Sequence, residues 1–396
     1  KPLAQTLVKQ LELIVDDPVV RGRIEVGTVD SVAFGVVSRY RGRPNIVSKD
    51  LLDSFWHDAA EKLQYSPVFL AREWEQVILA QNVSTEDAYL ACSRSGRGVA
   101  LSKAQRAVVW QAIATVVDRL AESGTSTFHQ LAAEAALLTA GTPEYEHILV
   151  DEAQDLHPNQ WRLLRALVPD GPDDLFIVGD PHQRIYDSNV SLKRLEIKVH
   201  GGRSTRLKLN YRTTQEILNW AIPVLGLTSP TGLDDAPDTL TGYRSPLHGR
   251  RPGVTRFADR EAELDGLVRQ VRRWLDDGIE PDSIGVTARR KYLVSEASKR
   301  LNAEKIKTFQ APSRSMGVQV GTMHSMKGLE FRCVAVIGVE DEMVPLRSAV
   351  TPEDEDAKAH GQDLQKERCL LFVACTRTRD HLYVSHVGAP SPFLPS

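Results

Sequence analysis

The sequence predicts an α/β fold, with a buried parallel sheet in the second half of the chain preceded by a mostly helical segment. Three observations carry this reading. From about residue 147 onward, short apolar runs alternate with stretches of helical periodicity, the texture of strand–helix units. Several of those runs end in Gly or polar residues on the carboxyl side, where buried parallel strands present ligand groups. Between about 36 and 140, apolar residues instead recur at helix spacing.

Taken in order, residues 3–8 read as helix and 24–28 as a short strand. Leu51, Leu52, Phe55 and Ala59 share one helical face, and Val108, Ile113, Val116, Val117 and Leu120 another. Gly96-Arg97-Gly98 and Gly124-Thr125-Ser126 break the helices. The strand candidates are 148–150, 175–178, 206–209, 284–286, 318–320, 334–337 and 382–384. Residues 228–252, rich in Pro, Gly, Thr and Asp, read as loop, and the acidic run 352–356 as a solvated loop.

Composition narrows the class. A chain of 396 residues suggests two or three domains. Its net charge of −3 excludes binding of polyanions by bulk charge, as histones do, but leaves room for a local basic groove. With 42% hydrophobic and 26% charged residues, the chain is a globular protein and not a disordered one. The longest apolar runs, 334–339 and 370–374, are far short of the roughly 18 residues that span a bilayer, so no membrane partner is expected. The first residues lack the pattern of a signal peptide. Cys92, Cys333, Cys369 and Cys375 form no close pair, which reads as reduced thiols in a cytoplasmic protein.

Five segments carry chemistry. Ile148-Leu149-Val150-Asp151-Glu152-Ala153-Gln154-Asp155 ends a strand in paired carboxylates, one able to hold Mg²⁺ near phosphates and the other to orient water. Such a pair is equally at home as an acidic helix N-terminus. In Gly179-Asp180-Pro181-His182-Gln183-Arg184-Ile185-Tyr186, Gln183 could sense a terminal phosphate and Tyr186 could stack on a base; alone, the segment is only a turn. In Leu209-Asn210-Tyr211-Arg212-Thr213-Thr214-Gln215-Glu216, Thr213 and Glu216 read as a capping box. Arg212 then sits at a strand–helix junction, where it reaches a phosphate or is simply a surface cation. The fourth and fifth segments, Gly321-Thr322-Met323-His324-Ser325-Met326-Lys327-Gly328-Leu329-Glu330-Phe331 and Leu371-Phe372-Val373-Ala374-Cys375-Thr376-Arg377-Thr378-Arg379-Asp380, each place a cation after an apolar run.

In this order, the five segments resemble motifs II to VI of the UvrD/Rep/PcrA-type DNA helicases of superfamily 1. Val26-Gly27-Thr28-Val29-Asp30-Ser31 is similar to a weaker motif that precedes them. The resemblance implies two RecA-like parallel-sheet lobes of the P-loop NTPase type, with a helical insertion in the first. It divides the chain into 1–35 with 141–202 as first lobe, 36–140 as the insertion and 203–396 as second lobe. It further implies ATP and Mg²⁺ as cofactors, single-stranded DNA as partner and 3′ to 5′ movement. By the same resemblance Asp151 holds the metal, Glu152 activates water, Gln183 senses the γ-phosphate, and Arg212 and Arg377 stabilise transition-state charge. Tyr211 stacks on adenine, Glu330 binds ribose and Gly328 completes the nucleotide site. Thr28, Tyr186, Thr322 and His324 line the path of the strand.

The chain departs from that pattern in several places. It contains no Gly-Lys dipeptide and hence no G-x-x-x-x-G-K-[ST] phosphate loop. Residues 2–7 resemble the segment just after that loop, so the reading is a chain beginning beyond it and inactive by itself. The large insertion that usually precedes motif V is absent or vestigial between residues 311 and 316, which favours translocation over unwinding. Tyr186 is followed by Asp187-Ser188-Asn189 in place of a second aromatic, and Asp30 stands where the family carries His. The clusters Arg269, Arg272, Arg273 and Arg289, Arg290, Lys291 read as solvated surface or as backbone-phosphate contacts. The competing readings are a non-catalytic DNA-binding or scaffold protein derived from a helicase, and a metal-dependent nuclease built on Asp151, Glu152 and Asp155.

Overall fold

The computed structural model describes residues 2–185, 191–199, 203–226, 232–233, 238–313 and 315–395. The chain opens with helices α1 (Pro2–Ile14), α2 (Pro18–Gly22) and α3 (Val29–Arg41), then a two-residue strand β1 (Asn45–Ile46). Helices α4 (Lys49–Ala60) and α5 (Pro67–Glu73), a π-helical turn at Trp74–Leu79, α6 (Glu86–Ala91) and α7 (Lys103–Glu122) follow, each of the four α-helices started by a Ser or Thr cap. The excursion returns at β2 (Thr125–Ser126), which pairs in parallel with β1 and so closes the base of the helical segment. Its core is a cluster of large apolar residues that includes Phe55, Trp56, Leu70, Trp74, Tyr89 and Ile113.

The chain continues through α8 (Phe128–Leu138), β3 (Ile148–Val150), α9 (Pro158–Leu167), β4 (Leu175–Ile177) and α10 (Gln215–Ala221). Strands β3 and β4 pair in parallel, Ile148 opposite Leu175. Then come β5 (Gly253–Phe257), α11 (Arg260–Asp276), β6 (Ile284–Ala288), α12 (Lys291–Ala303), β7 (Thr308–Gln310), β8 (Val318–Thr322), β9 (Phe331–Val336), α13 (Ala357–Cys375) and β10 (Thr378–Val387). These strands form one parallel sheet in the order β5-β10-β9-β6-β8-β7.

Alternation along β9 explains why the sheet sits between helices. Cys333 and Ala335 join the cluster built with Leu267 and Trp274 of α11 and Leu301 of α12. Val334 and Val336 join the opposite cluster, with Trp220 of α10 and Leu370 and Val373 of α13. With both faces covered, each such Val contributes about 1.5–3 kcal/mol of burial, and a polar residue on either face would be left without water.

The architecture is thus the α/β, parallel-sheet fold expected of RecA-like lobes. Two expected strands differ. Residues 24–28 form no strand: no neighbouring strand pairs with them among the described residues, and Thr28, still extended, caps α3. Residues 206–209 form only a single bridge, Leu209 to Arg244, and Leu207 is largely exposed with no adjoining strand among the described residues. Strands β5 and β7 were not legible as strands. Both are short and lie at the two edges of the sheet.

Candidate functional site

The end of β3 builds the first wall. Asp151 Oδ1 accepts the amide N–H of Glu152 at 2.8 Å, and Ala153 N–H donates to the Val178 carbonyl at 3.0 Å. Between these contacts Glu152 takes a left-handed backbone conformation, φ 54°, which a non-glycine residue adopts only when its surroundings impose it. Gln154 braces the turn: its Nε2 donates to Glu152 Oε2 at 2.6 Å and its Oε1 accepts Asp180 N–H at 2.9 Å. Asp180 in turn accepts the His182 amide at 2.9 Å and Gln183 Nε2 at 2.7 Å, so Gln183 is oriented from the same acid that follows β4.

The second wall comes from the large sheet and its flanks. Asn210 Oδ1 accepts the amides of Arg212 at 2.7 Å and Thr213 at 3.1 Å, a local turn that sets the Arg212 side chain. Arg212 Nε then donates to Glu330 Oε1 at 2.6 Å. Gly328, at φ 75°, makes the turn between Lys327 and Leu329 that a side chain would strain. Arg377 follows α13 and is 2% exposed. Its Nε donates to the Val373 carbonyl at 3.2 Å, and its Nη2 crosses to Gln183 Oε1 at 2.7 Å. Burial foremost, and then the neighbouring Arg212 cation, push its pKa down to about 10.

Between the walls lies a cavity of about 750 Å³. Asp151, Glu152 and Gln183 line one side, and Arg212, Gly328, Glu330 and Arg377 the other. Lys327 ties the walls together. Its ammonium pairs with Asp155, lies 3.2 Å from Glu152 Oε2 and donates to the Gln183 carbonyl at 3.1 Å. Burial raises the Asp155 carboxyl above its ordinary pKa, with the Lys327 charge acting against it. Sequence reasoning did not assign Gln154, Asp180 or the Lys327 pairing. The first two stand inside quoted motifs, whereas the third joins residues 172 apart in the chain.

Other candidates lie elsewhere. Tyr211 is 70% exposed and is not among the cavity-lining residues. Tyr186 falls outside the described residues. Thr28 caps α3, accepting Ser31 N–H at 3.1 Å, and Thr322 caps the turn after β8, accepting Ser325 N–H at 3.3 Å. His324 is partly buried, and that burial together with Arg289 lowers its pKa. Asp30 accepts Gln160 Nε2 at 2.7 Å. Arg289 is neither solvated nor open to phosphate: it grips Glu367 with Nε at 2.9 Å and Nη2 at 2.7 Å. Arg272 pairs with Glu304. Among the described residues, no three His, Cys, Asp or Glu side chains are grouped so as to hold a metal by themselves, and no helix is long and apolar enough to cross a membrane.

Comparison with known proteins agrees with this arrangement. Residues 78–190 match the UvrD/REP helicase N-terminal domain and residues 310–388 the UvrD-like helicase C-terminal domain. The chain is 22% identical to the ATP-dependent DNA helicase UvrD2 of Mycobacterium tuberculosis over 81% of its own length and 59% of that protein. It is 37% identical to the ATP-dependent DNA helicase PcrA of Staphylococcus aureus over a shorter stretch, 20% of this chain and 11% of PcrA. A solved structure described as the C-terminal domain of a possible DNA helicase from Lactobacillus aligns at 21% identity with 46% of this chain and 91% of its own, with a TM-score of 0.33. The chain spans about half the length of the curated relatives it matches along most of its own length. Two UvrD-type models, met in order, thus match residues on both walls of the cleft, and over those segments the chain is similar to UvrD/PcrA-type DNA helicases.

Proposed function

We propose that this chain is motor machinery that couples ATP hydrolysis to 3′ to 5′ movement along single-stranded DNA. The observation that carries the reading is the shared cavity. Two acids and a glutamine face two guanidinium groups, and one of those, Arg377, is almost wholly desolvated beside a second cation. A desolvated cation beside a second one is costly unless an anion joins it, and a triphosphate supplies one. The donor set also fits Mg²⁺, which is usually held by one or two carboxylates together with substrate phosphates. Asp151 would hold the ion, which would neutralise charge on the β- and γ-oxygens.

Glu152, held at the turn by Gln154, would orient the attacking water and take its proton. Gln183, bonded to both Asp180 and Arg377, would report the terminal phosphate to the second wall. Arg377 and Arg212 would stabilise the charge that develops on transfer. Arg212 would have to exchange Glu330 for phosphate, leaving Glu330 and Gly328 for the ribose side and exposed Tyr211 for the base. Thr28, Thr322 and His324, together with Tyr186, would follow the strand. Residues 1–35 with 141–202 would act as one lobe, 203–396 as the other and 36–140 as the insertion.

The chain holds no phosphate loop, so by itself it should bind ATP weakly and turn over none measurably. Titration calorimetry with Mg·ATP tests that part, and tight binding refutes it. DNA-stimulated ATP hydrolysis by a chain extended with a phosphate loop tests the motor reading. DNA binding with no turnover there favours the scaffold reading instead.

A further inference from the structure

We propose that Arg72 and Asp363 are positioning residues for the cleft: through them the helical segment holds α13, and α13 holds Arg377 against Gln183. Asp363 sits in the first half of α13 and is 1% exposed. Arg72 of α5 reaches it with two bonds, at 2.7 and 3.1 Å. Thr351 adds its amide at 3.0 Å and its hydroxyl at 2.7 Å, and Lys366 adds an ammonium at 2.6 Å. Burial opposes ionisation there, yet these donors prevail and hold the carboxyl at about 2.

The docking is wider than one ion pair. Ser66 donates to Glu355 at 2.5 Å, and Gln362 to the Gly96 carbonyl at 3.3 Å. A Cβ on Gly98 would stand 2.0 Å from Asp356 Oδ1, so only glycine fits between that loop and the cap of α13.

From Asp363 to the end of α13 is about 18 Å at about 1.5 Å per residue. Every residue from Cys369 to Cys375 is buried, so this half of the helix moves as a packed body. The Arg377 guanidinium is bonded to the last turn itself, at Val373. On the other side, the helical segment is fastened to α9 and its cap: His157 Nε2 meets the Glu75 carbonyl at 3.0 Å, and Arg162 donates to the Ala80 carbonyl at 2.7 Å. The contacts therefore close a ring from α9 through the helical segment and α13 back to Gln183. Displacing the helical segment must move Arg377.

The proposal rests on the reading above only in taking Arg377 as the functional output. Amide hydrogen exchange of the whole bare chain tests it, with no nucleotide or DNA present. The variants are Asp363→Asn and the conservative Arg72→Lys. In Asp363→Asn, exchange should quicken about tenfold at the amides of Gln183, Phe331 and Thr376, with no change in residues 284–288. Arg72→Lys, which keeps charge but loses the fork, should give a smaller rise at the same amides. If exchange quickens only within 349–366 in Asp363→Asn and in Arg72→Lys, the pair is a local fastening and the proposal is overturned. Failure to bind nucleotide or DNA would sink the motor reading and leave this measurement standing.

Discussion

Replacing Arg377 with methionine separates a functional cation from a structural one. Moving a guanidinium pKa from its ordinary value down to about 10 corresponds to about 3 kcal/mol against the charged form, at about 1.4 kcal/mol per pH unit. The sign follows from linkage. The unfolded chain binds the proton more tightly, so at every pH below about 10 the folded state carries this cost in full, and it is relieved only as pH rises above that value. Against it stand two hydrogen bonds, to Val373 and Gln183, each worth about 1.5 kcal/mol, the low end for a bond to a charged group. The two sides nearly cancel. Arg377→Met, which keeps the bulk and drops the charge, should therefore unfold within about 1 kcal/mol of the wild type. A buried cation already matched by its surroundings would cost about 3–5 kcal/mol on removal. Differential scanning fluorimetry and denaturant titration measure the difference. The same samples with tripolyphosphate should show a rise in midpoint for the wild type and none for Arg377→Met. A loss above about 3 kcal/mol, or an equal rise in both proteins, would falsify the view that Arg377 awaits an anion.

Three further outcomes are expected. His157 is held neutral, with Nε2 toward the Glu75 carbonyl and Nδ1 accepting Asn159 N–H, and burial followed by stacked His129 lowers its pKa to about 3. Its stabilising effect is complete above the unfolded-state pKa of about 6.5 and fades as pH falls toward 3, so acidifying from pH 7 to 5 should cost about 2 kcal/mol. A His157→Asn chain should lose most of that slope, and an unchanged slope counts against the assignment. In a chain extended with a phosphate loop, Glu152→Gln should lower DNA-stimulated ATP hydrolysis by about a hundredfold or more while leaving DNA affinity intact, with phosphate release as the readout. For single-stranded DNA, anisotropy of a labelled oligothymidylate should show affinity falling steeply with salt, and Thr322→Val should weaken binding without altering the salt slope, since a hydroxyl contact releases no counterion.

What could be read from the sequence follows from how local the physics is. Strands β6, β8 and β9 are buried on nearly every residue, and the apolar run 333–336 in β9 announces a buried sheet by itself. Strand β5 pairs on one side only, and Val254 is exposed, so nothing in Gly253–Phe257 distinguishes it from a loop until β10 lies beside it. The acids after β3 and the guanidiniums at 212 and 377 were visible as residue types in motifs. Their meeting in one cavity was expected only through the resemblance and not from the residues themselves, because the two walls are joined by tertiary contacts such as Gln183 with Arg377, 194 residues apart. Arg289 shows the converse error. A run of cations looked like surface, yet its first member is spent on a buried glutamate of α13.

The walls do not gape in the structure. Across the cleft, Lys327 stands against Asp155 and Glu152 and Gln183 accepts from Arg377, and within the second wall Glu330 stands against Arg212. On the proposed reading, a polyphosphate entering with its cation would exchange with these partners. Arg212 would release Glu330, and Glu152 would release Lys327 to address water. Since each charge-assisted contact is worth about 1.5–3 kcal/mol, entry is favourable only when the ligand supplies as many contacts as it breaks. A nucleotide that lacks its terminal phosphate offers nothing to the Gln183–Arg377 pair and leaves that contact as it is. The same exchange explains how loss of one phosphoryl group could be felt at a distance. The second wall would be held by ligand while the triphosphate lasts, and by Lys327 and Gln183 once it is gone, so the relation between the walls would change with the state of the bond.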